Sequence, residues 1–154
     1  MKFVLNKTFT FTVILICLLF ICSQSLTMAK TGGADTVLTA STLKYTPVTT
    51  SITQVSHAVL WGDPNTGGYG VFTKIKAGYK DPFHTSSSDV RVTIISGTFL
   101  YGTSAGEKKL AAGSYMVIPA GVQHTEGADA GADCLYLEQS TGKYEMKILQ
   151  AATN

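Results

Sequence analysis

Beyond residue 50 the chain consists of short runs in which apolar and polar positions follow a period of two. Clear runs cover residues 55–61, 69–76 and 90–95, and turn-forming residues such as those at 62–68 separate them. Apolar side chains at every second position place one face of a strand against a core. No window keeps a 3.6-residue period over three turns, so long helices are not expected. Short strands with turn signals about every ten residues predict an all-β sandwich or barrel.

The first 29 residues have the pattern of a secretory signal peptide. Two lysines precede an apolar run at 9–22, and Thr-Met-Ala at 27–29 is a small-residue cleavage site. The apolar run is shorter than the ~20 residues of a membrane-spanning helix. A lipoprotein attached at Cys22 is the minor alternative, because bulky Ile21 occupies a position where lipoprotein signals favour a small residue. We expect an exported protein, periplasmic or secreted, without membrane attachment after cleavage.

Cleavage would leave a mature chain with balanced charge and a single cysteine. The whole chain has 12 basic and 10 acidic residues, and loss of Lys2 and Lys7 leaves ten of each. A nucleic-acid or anionic-membrane partner is not expected, since both require clustered basic residues. Cys134 alone cannot form an internal disulfide, and we expect it to be a small buried hydrophobe. Stability must therefore come from the core of this domain.

The mature chain divides by composition into two parts. Residues 30–50 are rich in Thr, Ser, Gly and Ala and predict a flexible, exposed N-terminal arm, with a strand around 37–43. Residues 51–150 carry the alternating runs and predict one β-barrel domain. Within that domain, residues 102–109 predict a polar hairpin connection.

Two stretches each combine a glycine-bounded β run with one histidine beside a Gly/Pro turn. The first contains Gly78, His84 and Gly97, and the second contains Gly113, Pro119, Gly121 and His124. At these spacings the stretches resemble the two motifs of the cupin superfamily, and the chain is most similar to ChrR-like cupins of uncharacterised function. Those cupins also carry a segment like residues 60–64. The resemblance implies a single cupin barrel, that is, a jelly roll or double-stranded β-helix.

The resemblance also implies a site at which three histidines and a glutamate hold a divalent metal. This chain departs from that pattern, with Ser86 at the second histidine position and Val90 at the glutamate position. Strand parity directs both inward beside His84. A valine cannot ligate and a serine hydroxyl is a poor ligand, whereas firm binding needs three or four good ligands. A divalent metal is therefore possible but not favoured.

Three other residues stay open as additions to an incomplete metal set formed by His84 and His124. Asp89 has the wrong strand parity and would reach inward only through a β-bulge. His57 on an upstream strand and Gln123 are further candidates, although an ordinary strand position is the favoured interpretation for His57.

The predicted ligand pocket is lined by His84, Ser86, Val90, Val92, Ile94 and His124. We predict that its two histidines lie close together in the folded barrel. The preferred function is binding of a partly apolar small molecule by an exported cupin with a degenerate metal site. The alternative is a metal-dependent oxygenase or isomerase that uses both histidines. By analogy with cupins that exchange strands, the arm at 30–50 would serve a homodimer.

Overall fold

The computed structural model describes residues 35–149, and from Val37 onward these residues belong to one compact unit. The predicted signal peptide lies outside the described residues. Every regular element from 35 to 149 is a β-strand, which confirms the predicted all-β fold. The strands are β1 (Thr46–Pro47), β2 (Val55–Gly62), β3 (Tyr69–Ile75), β4 (His84–Ser86), β5 (Val90–Ser96), β6 (Thr98–Thr103), β7 (Gly106–Ala111), β8 (Tyr115–Ile118), β9 (Thr125–Ala128), β10 (Cys134–Ser140) and β11 (Met146–Ile148).

Antiparallel pairing arranges these strands in three sheets. The large sheet has the order β1-β2-β3-β10-β5-β8, a second sheet has the order β7-β6-β9, and β11 pairs with β4. Strands β1 to β3 follow one another in sequence, whereas β10 pairs with the distant strands β3 and β5, so long-range pairing closes the structure. The described part of the chain contains no helix long and apolar enough to span a membrane.

Strand β5 shows how the sequence period becomes a buried face. Val90, Val92 and Ile94 are buried, whereas Arg91 between them and Ile95 after them are exposed. Because successive strand residues point to opposite faces, this alternation directs β-branched side chains into the core. The burial pattern confirms the predicted period of two.

The hydrophobic core joins the large sheet to the sheet of β6 and β9. It comprises Val55, Ile75, Val90, Val92, Ile94, Phe99, Ile118, Ala128, Cys134 and Tyr136. Phe99 and Tyr136 pack edge to face with ring centroids 5.0 Å apart. Cys134 is fully buried, as predicted, and burial raises the pKa of its thiol to about 11. This core gives the domain its stability without a disulfide.

The turn between β5 and β6 requires glycine at position 97. Gly97 has a φ of +77°, and a Cβ there would lie 2.4 Å from the carbonyl oxygen of Asp133. A left-handed backbone and a close neighbour both exclude a larger residue. The glycine that ends the first sequence motif is therefore explained by backbone geometry.

The region predicted as an arm contributes one short strand. Thr46–Pro47 pairs with β2, and Val48 packs against the core. The predicted strand at 37–43 is wrong. A turn forms there instead, because Thr42 donates from its amide and its hydroxyl to the Thr39 carbonyl, at 2.9 Å in each case. Such local bonds of threonine compete with strand pairing.

Candidate metal centre

His84 and His124 meet where two strands begin. Their backbones form an isolated antiparallel bridge, with the His84 amide 2.9 Å from the His124 carbonyl and the reverse bond at 3.0 Å. The imidazole centroids are 4.3 Å apart, and both residues are buried. The predicted proximity of these histidines is confirmed, although 40 residues separate them in sequence.

Each imidazole is oriented by a backbone carbonyl two residues before it. His84 Nδ1 lies 2.9 Å from the Pro82 oxygen, and His124 Nδ1 lies 2.8 Å from the Val122 oxygen. A carbonyl can only accept, so in each neutral ring the proton is on Nδ1 and Nε2 keeps its lone pair. This arrangement is the usual one for a histidine that ligates a metal through Nε2.

Glu126 supplies a carboxylate to the same place. Its Oε1 lies 3.6 Å from His124 Nε2, and one candidate ligand atom from each of His84, His124 and Glu126 lies within 4.8 Å of the others. The Tyr136 hydroxyl donates to Glu126 Oε2 at 3.3 Å and orients the carboxylate. Glu126 was not among the residues predicted from the sequence. Its available signal was the strand parity that it shares with His124, two positions earlier.

The electrostatic surroundings distinguish the two histidines. Burial, together with the neighbouring His124, lowers the pKa of His84 below its ordinary value. Burial would also lower the pKa of His124, but the Glu126 carboxylate, the Val122 carbonyl and Asp81 outweigh it, so the pKa is raised. Asp81 is itself buried, which raises the pKa of its carboxyl to about 6. The two neighbouring imidazoles therefore have pKa values shifted in opposite directions.

The donor set fits a divalent transition metal. His124 Nε2 is buried and has no hydrogen-bond partner among the described residues. A buried nitrogen without a hydrogen-bond partner lowers the stability of the fold unless another group binds to it. Two imidazole nitrogens and one carboxylate oxygen are ligands that suit first-row divalent metals. The three residues that would hold such an ion are His84, His124 and Glu126.

The other residues of the predicted pocket lie in different surroundings. Val90, Val92 and Ile94 belong to the hydrophobic core. Ser86 is half-buried and contributes to a cavity of about 700 Å³, which is lined by Thr85, Ser86, Ser87, Ala120, Gly121, Glu145, Met146 and Lys147. Asp89 is exposed, and its Oδ1 accepts a hydrogen bond from the Ala120 amide at 2.9 Å. It does not belong to the group formed by the two histidines and Glu126.

A second polar group in the barrel involves His57 and Glu138. Glu138 is buried and accepts hydrogen bonds from the hydroxyls of Tyr69 at 2.5 Å and Thr73 at 2.9 Å. Burial and the charge of Glu126 raise the pKa of Glu138 to about 7. Burial lowers the pKa of His57 to about 4, against the opposite effect of Glu126. The chain's three histidines are thus all buried.

The antiparallel jelly roll with a buried histidine pair defines a cupin-fold protein, and solved structures of that fold are similar. RemF, a polyketide cyclase from Streptomyces resistomycificus, is 12% identical, with 77% of this chain and 88% of that chain covered at a TM-score of 0.66. An RmlC-like cupin protein from Ralstonia eutropha JMP134 is 22% identical, with 79% and 76% covered at a TM-score of 0.64. A sugar phosphate isomerase of the cupin superfamily from Silicibacter pomeroyi DSS-3 is 15% identical, with 69% and 75% covered at a TM-score of 0.58.

The chain belongs to the family DUF4437, described as a domain of unknown function, which matches residues 37–154. The sequence matches none of the curated proteins. The cupin fold expected from the two motifs is confirmed. At these identities the similarity to solved structures establishes the fold, and a function must be argued from the site.

Proposed function

We propose that the protein binds one divalent first-row metal through His84, His124 and Glu126 and acts on a small molecule as a metal-dependent enzyme. The observation that carries this proposal is the buried, unpartnered Nε2 of His124, with a carboxylate oxygen 3.6 Å away. The motifs alone favoured a degenerate site because Ser86 and Val90 replace two ligands. Glu126 favours a metal site instead, because it brings the number of candidate ligands to three.

The chain's own residues prepare this site in three ways. The Pro82 and Val122 carbonyls keep both Nε2 atoms unprotonated in the neutral rings. Tyr136 holds the carboxylate of Glu126. A bound divalent metal would supply Lewis acidity toward an oxygen of the substrate.

The cavity that includes Ser86 is the proposed place for the small molecule. Thr85 in its lining directly follows His84 in the chain, and its volume of about 700 Å³ is in the range of ligand pockets. Its walls combine hydroxyls and the charged Glu145 and Lys147 with the apolar Met146. Two similar structures are enzymes, a polyketide cyclase and a sugar phosphate isomerase, which supports catalysis in a barrel of this architecture.

Metal analysis of the purified protein tests the proposal. We expect about one equivalent of a first-row metal after incubation with Zn²⁺, Mn²⁺ or Ni²⁺ and gel filtration. Glu126→Gln should weaken binding at least tenfold, because an amide is a poorer ligand than a carboxylate. The matched control is Asp89→Asn, which removes an exposed carboxylate and should bind as the wild type does. Equal binding by both variants, or none by the wild type, would contradict the assignment.

A metal-free binding protein is the second candidate, supported by Ser86 and Val90 at two positions where the cupin motif has ligands. The same titration separates the two functions, because this candidate requires a wild type without stoichiometric metal. Metal-free protein that binds small molecules in the Ser86 cavity would favour it.

We further propose that the protein is exported, that among cupins it is most similar to the ChrR-like ones, and that it forms a homodimer. The signal-like residues 1–29 support export, and the segment at 60–64 supports the ChrR-like comparison. The outward-facing Tyr115 and Val117 on the edge strand β8 are exposed and support a contact between copies. Sedimentation analysis tests the dimer, and a monomer at micromolar concentration would exclude it.

A further inference from the structure

A separate cavity of about 210 Å³ lies beside His57 and Tyr144. Its lining is formed by Thr46, Pro47, Val48, His57, Val59, Pro64, Asn65 and Tyr144. None of the three candidate metal ligands belongs to that lining. At ~30 Å³ per water the volume corresponds to roughly seven waters, which is enough for a molecule with one ring.

The imidazole of His57 has unused hydrogen-bonding capacity at this cavity. The residue is 9% exposed, and its Nε2 lies 3.8 Å from Glu138 Oε2, which is beyond hydrogen-bonding distance. No hydrogen bond joins either ring nitrogen to another of the residues from 35 to 149. Glu138 is already satisfied by the Tyr69 and Thr73 hydroxyls. Unlike Nε2 of His124, the ring nitrogens of His57 are not fully buried, so water or a ligand in the cavity can hydrogen-bond to them.

The lining restricts the chemistry of that partner. It contains no Lys, Arg, Asp or Glu, so a charged ligand would lose its hydration without gaining a counter-charge. Pro47, Val48, Val59 and Pro64 offer contacts to a carbon skeleton. In a neutral imidazole one ring nitrogen donates and the other accepts, so His57 can pair with the proton or with the oxygen of a hydroxyl. The Tyr144 ring, edge-on to His57 at 5.0 Å, provides an aromatic wall.

We propose that this cavity is a second binding site, which takes an uncharged organic molecule whose hydroxyl hydrogen-bonds to His57. The carbon skeleton of the ligand packs against the prolines and valines of the lining. The site is separate from the metal centre, since its lining shares no residue with the candidate ligands.

Phenol is a suitable probe, with toluene as the analogue that lacks the hydroxyl. We expect phenol to shift the ¹⁵N resonances of the His57 ring saturably in protein purified from an exporting host. Toluene should bind at least tenfold more weakly, because a site that hydrogen-bonds a hydroxyl rejects the analogue without it. Equal affinity for both probes, or a saturable shift confined to His84 and His124, would overturn the proposal.

Two variants test the role of the lining. His57→Phe should weaken phenol binding at least tenfold. Val59→Trp keeps His57 but fills the cavity from a half-exposed position, and it should abolish the His57 shift. Circular dichroism verifies that each variant is folded, so either variant alone can decide the matter. Wild-type phenol affinity in a folded variant would show that the cavity is not the binding site.

Discussion

At the scale of single residues, His57 and Glu138 show how burial changes acid–base behaviour in opposite directions. Burial disfavours the charged form of each group, so the pKa of His57 falls to about 4 and that of Glu138 rises to about 7. Both groups are therefore largely neutral between these values. A buried pair that is neutral at mild pH avoids the large cost of an uncompensated charge.

Glu138→Gln should remove one component of the pH dependence of stability. The folded pKa of about 7 exceeds the ordinary 4.5, so the folded wild type holds a proton that the unfolded chain loses between these values. The free energy of unfolding of the wild type therefore falls as the pH rises from 4.5 to 7, by about 3 kcal/mol. Glutamine does not titrate, so the variant should gain about that much on the wild type between pH 4.5 and pH 8.

Urea unfolding of the metal-free proteins at both pH values measures this difference. The contribution of His57 to stability has the opposite pH dependence, because it is lost as the pH falls from 6.5 through 4. Both proteins contain His57, so its contribution cancels to first order in their difference. Glu107→Gln on the exposed strand β7 is the matched control and should show no such gain. A constant difference between Glu138→Gln and the wild type would refute the assignment.

At the scale of elements, β5 contributes the apolar face that joins the two larger sheets. Its buried positions pair with β10 on one side and β8 on the other, so each side chain is enclosed by neighbouring strands. The bend at residues 87–88 separates β5 from β4. Ser86, before this bend, is half-buried and lines an open cavity, whereas Val90 after it is in the core.

Val92→Ala should test the burial of this face. Val92 is fully buried, so its truncation to alanine removes apolar contacts and leaves a cavity. We expect the free energy of unfolding to fall by about 2–3 kcal/mol. Arg91→Ala at the exposed neighbouring position should change the free energy of unfolding by less than about 0.5 kcal/mol. Chemical denaturation measures both. Similar losses in the two variants would contradict the observed orientation of β5.

At the scale of the whole molecule, residues 30–154 have balanced charge and one cysteine, whose thiol is buried. The stability of this domain therefore depends on its core. The described residues form this domain, and the proposed export depends on residues outside them. Cleavage after Ala29 is expected, since the apolar run at 9–22 resembles the hydrophobic region of a signal peptide.

Mass spectrometry of protein from an exporting host should show a chain that begins near Lys30. Replacement of Ala29 by a bulky residue should slow cleavage, whereas the same change at Ala40 should have no effect on it. A diacylglyceryl group on Cys22 would support the lipoprotein alternative. An uncut product retained in the cytosol would refute export.

The sequence by itself determined the strand pattern, the two glycine-containing turns, and the placement of His84 and His124 beside those turns. These features depend on the local period and on backbone geometry. Gly97 and Gly121, each with a positive φ, are examples, since a left-handed turn requires glycine wherever the rest of the chain lies. The spacing of the two cupin-like motifs predicted the fold as well, since strand and turn lengths constrain how a small barrel closes.

Only the tertiary structure decided the composition of the candidate site. Glu126 joins His84 through strand pairings that bring distant parts of the chain together, and its partner strand β6 is not adjacent to it in sequence. The altered pKa values of His57 and Glu138 depend on burial and on neighbouring charges. Burial and neighbouring charge arise from residues that are distant in sequence, so a local sequence pattern does not predict these pKa values.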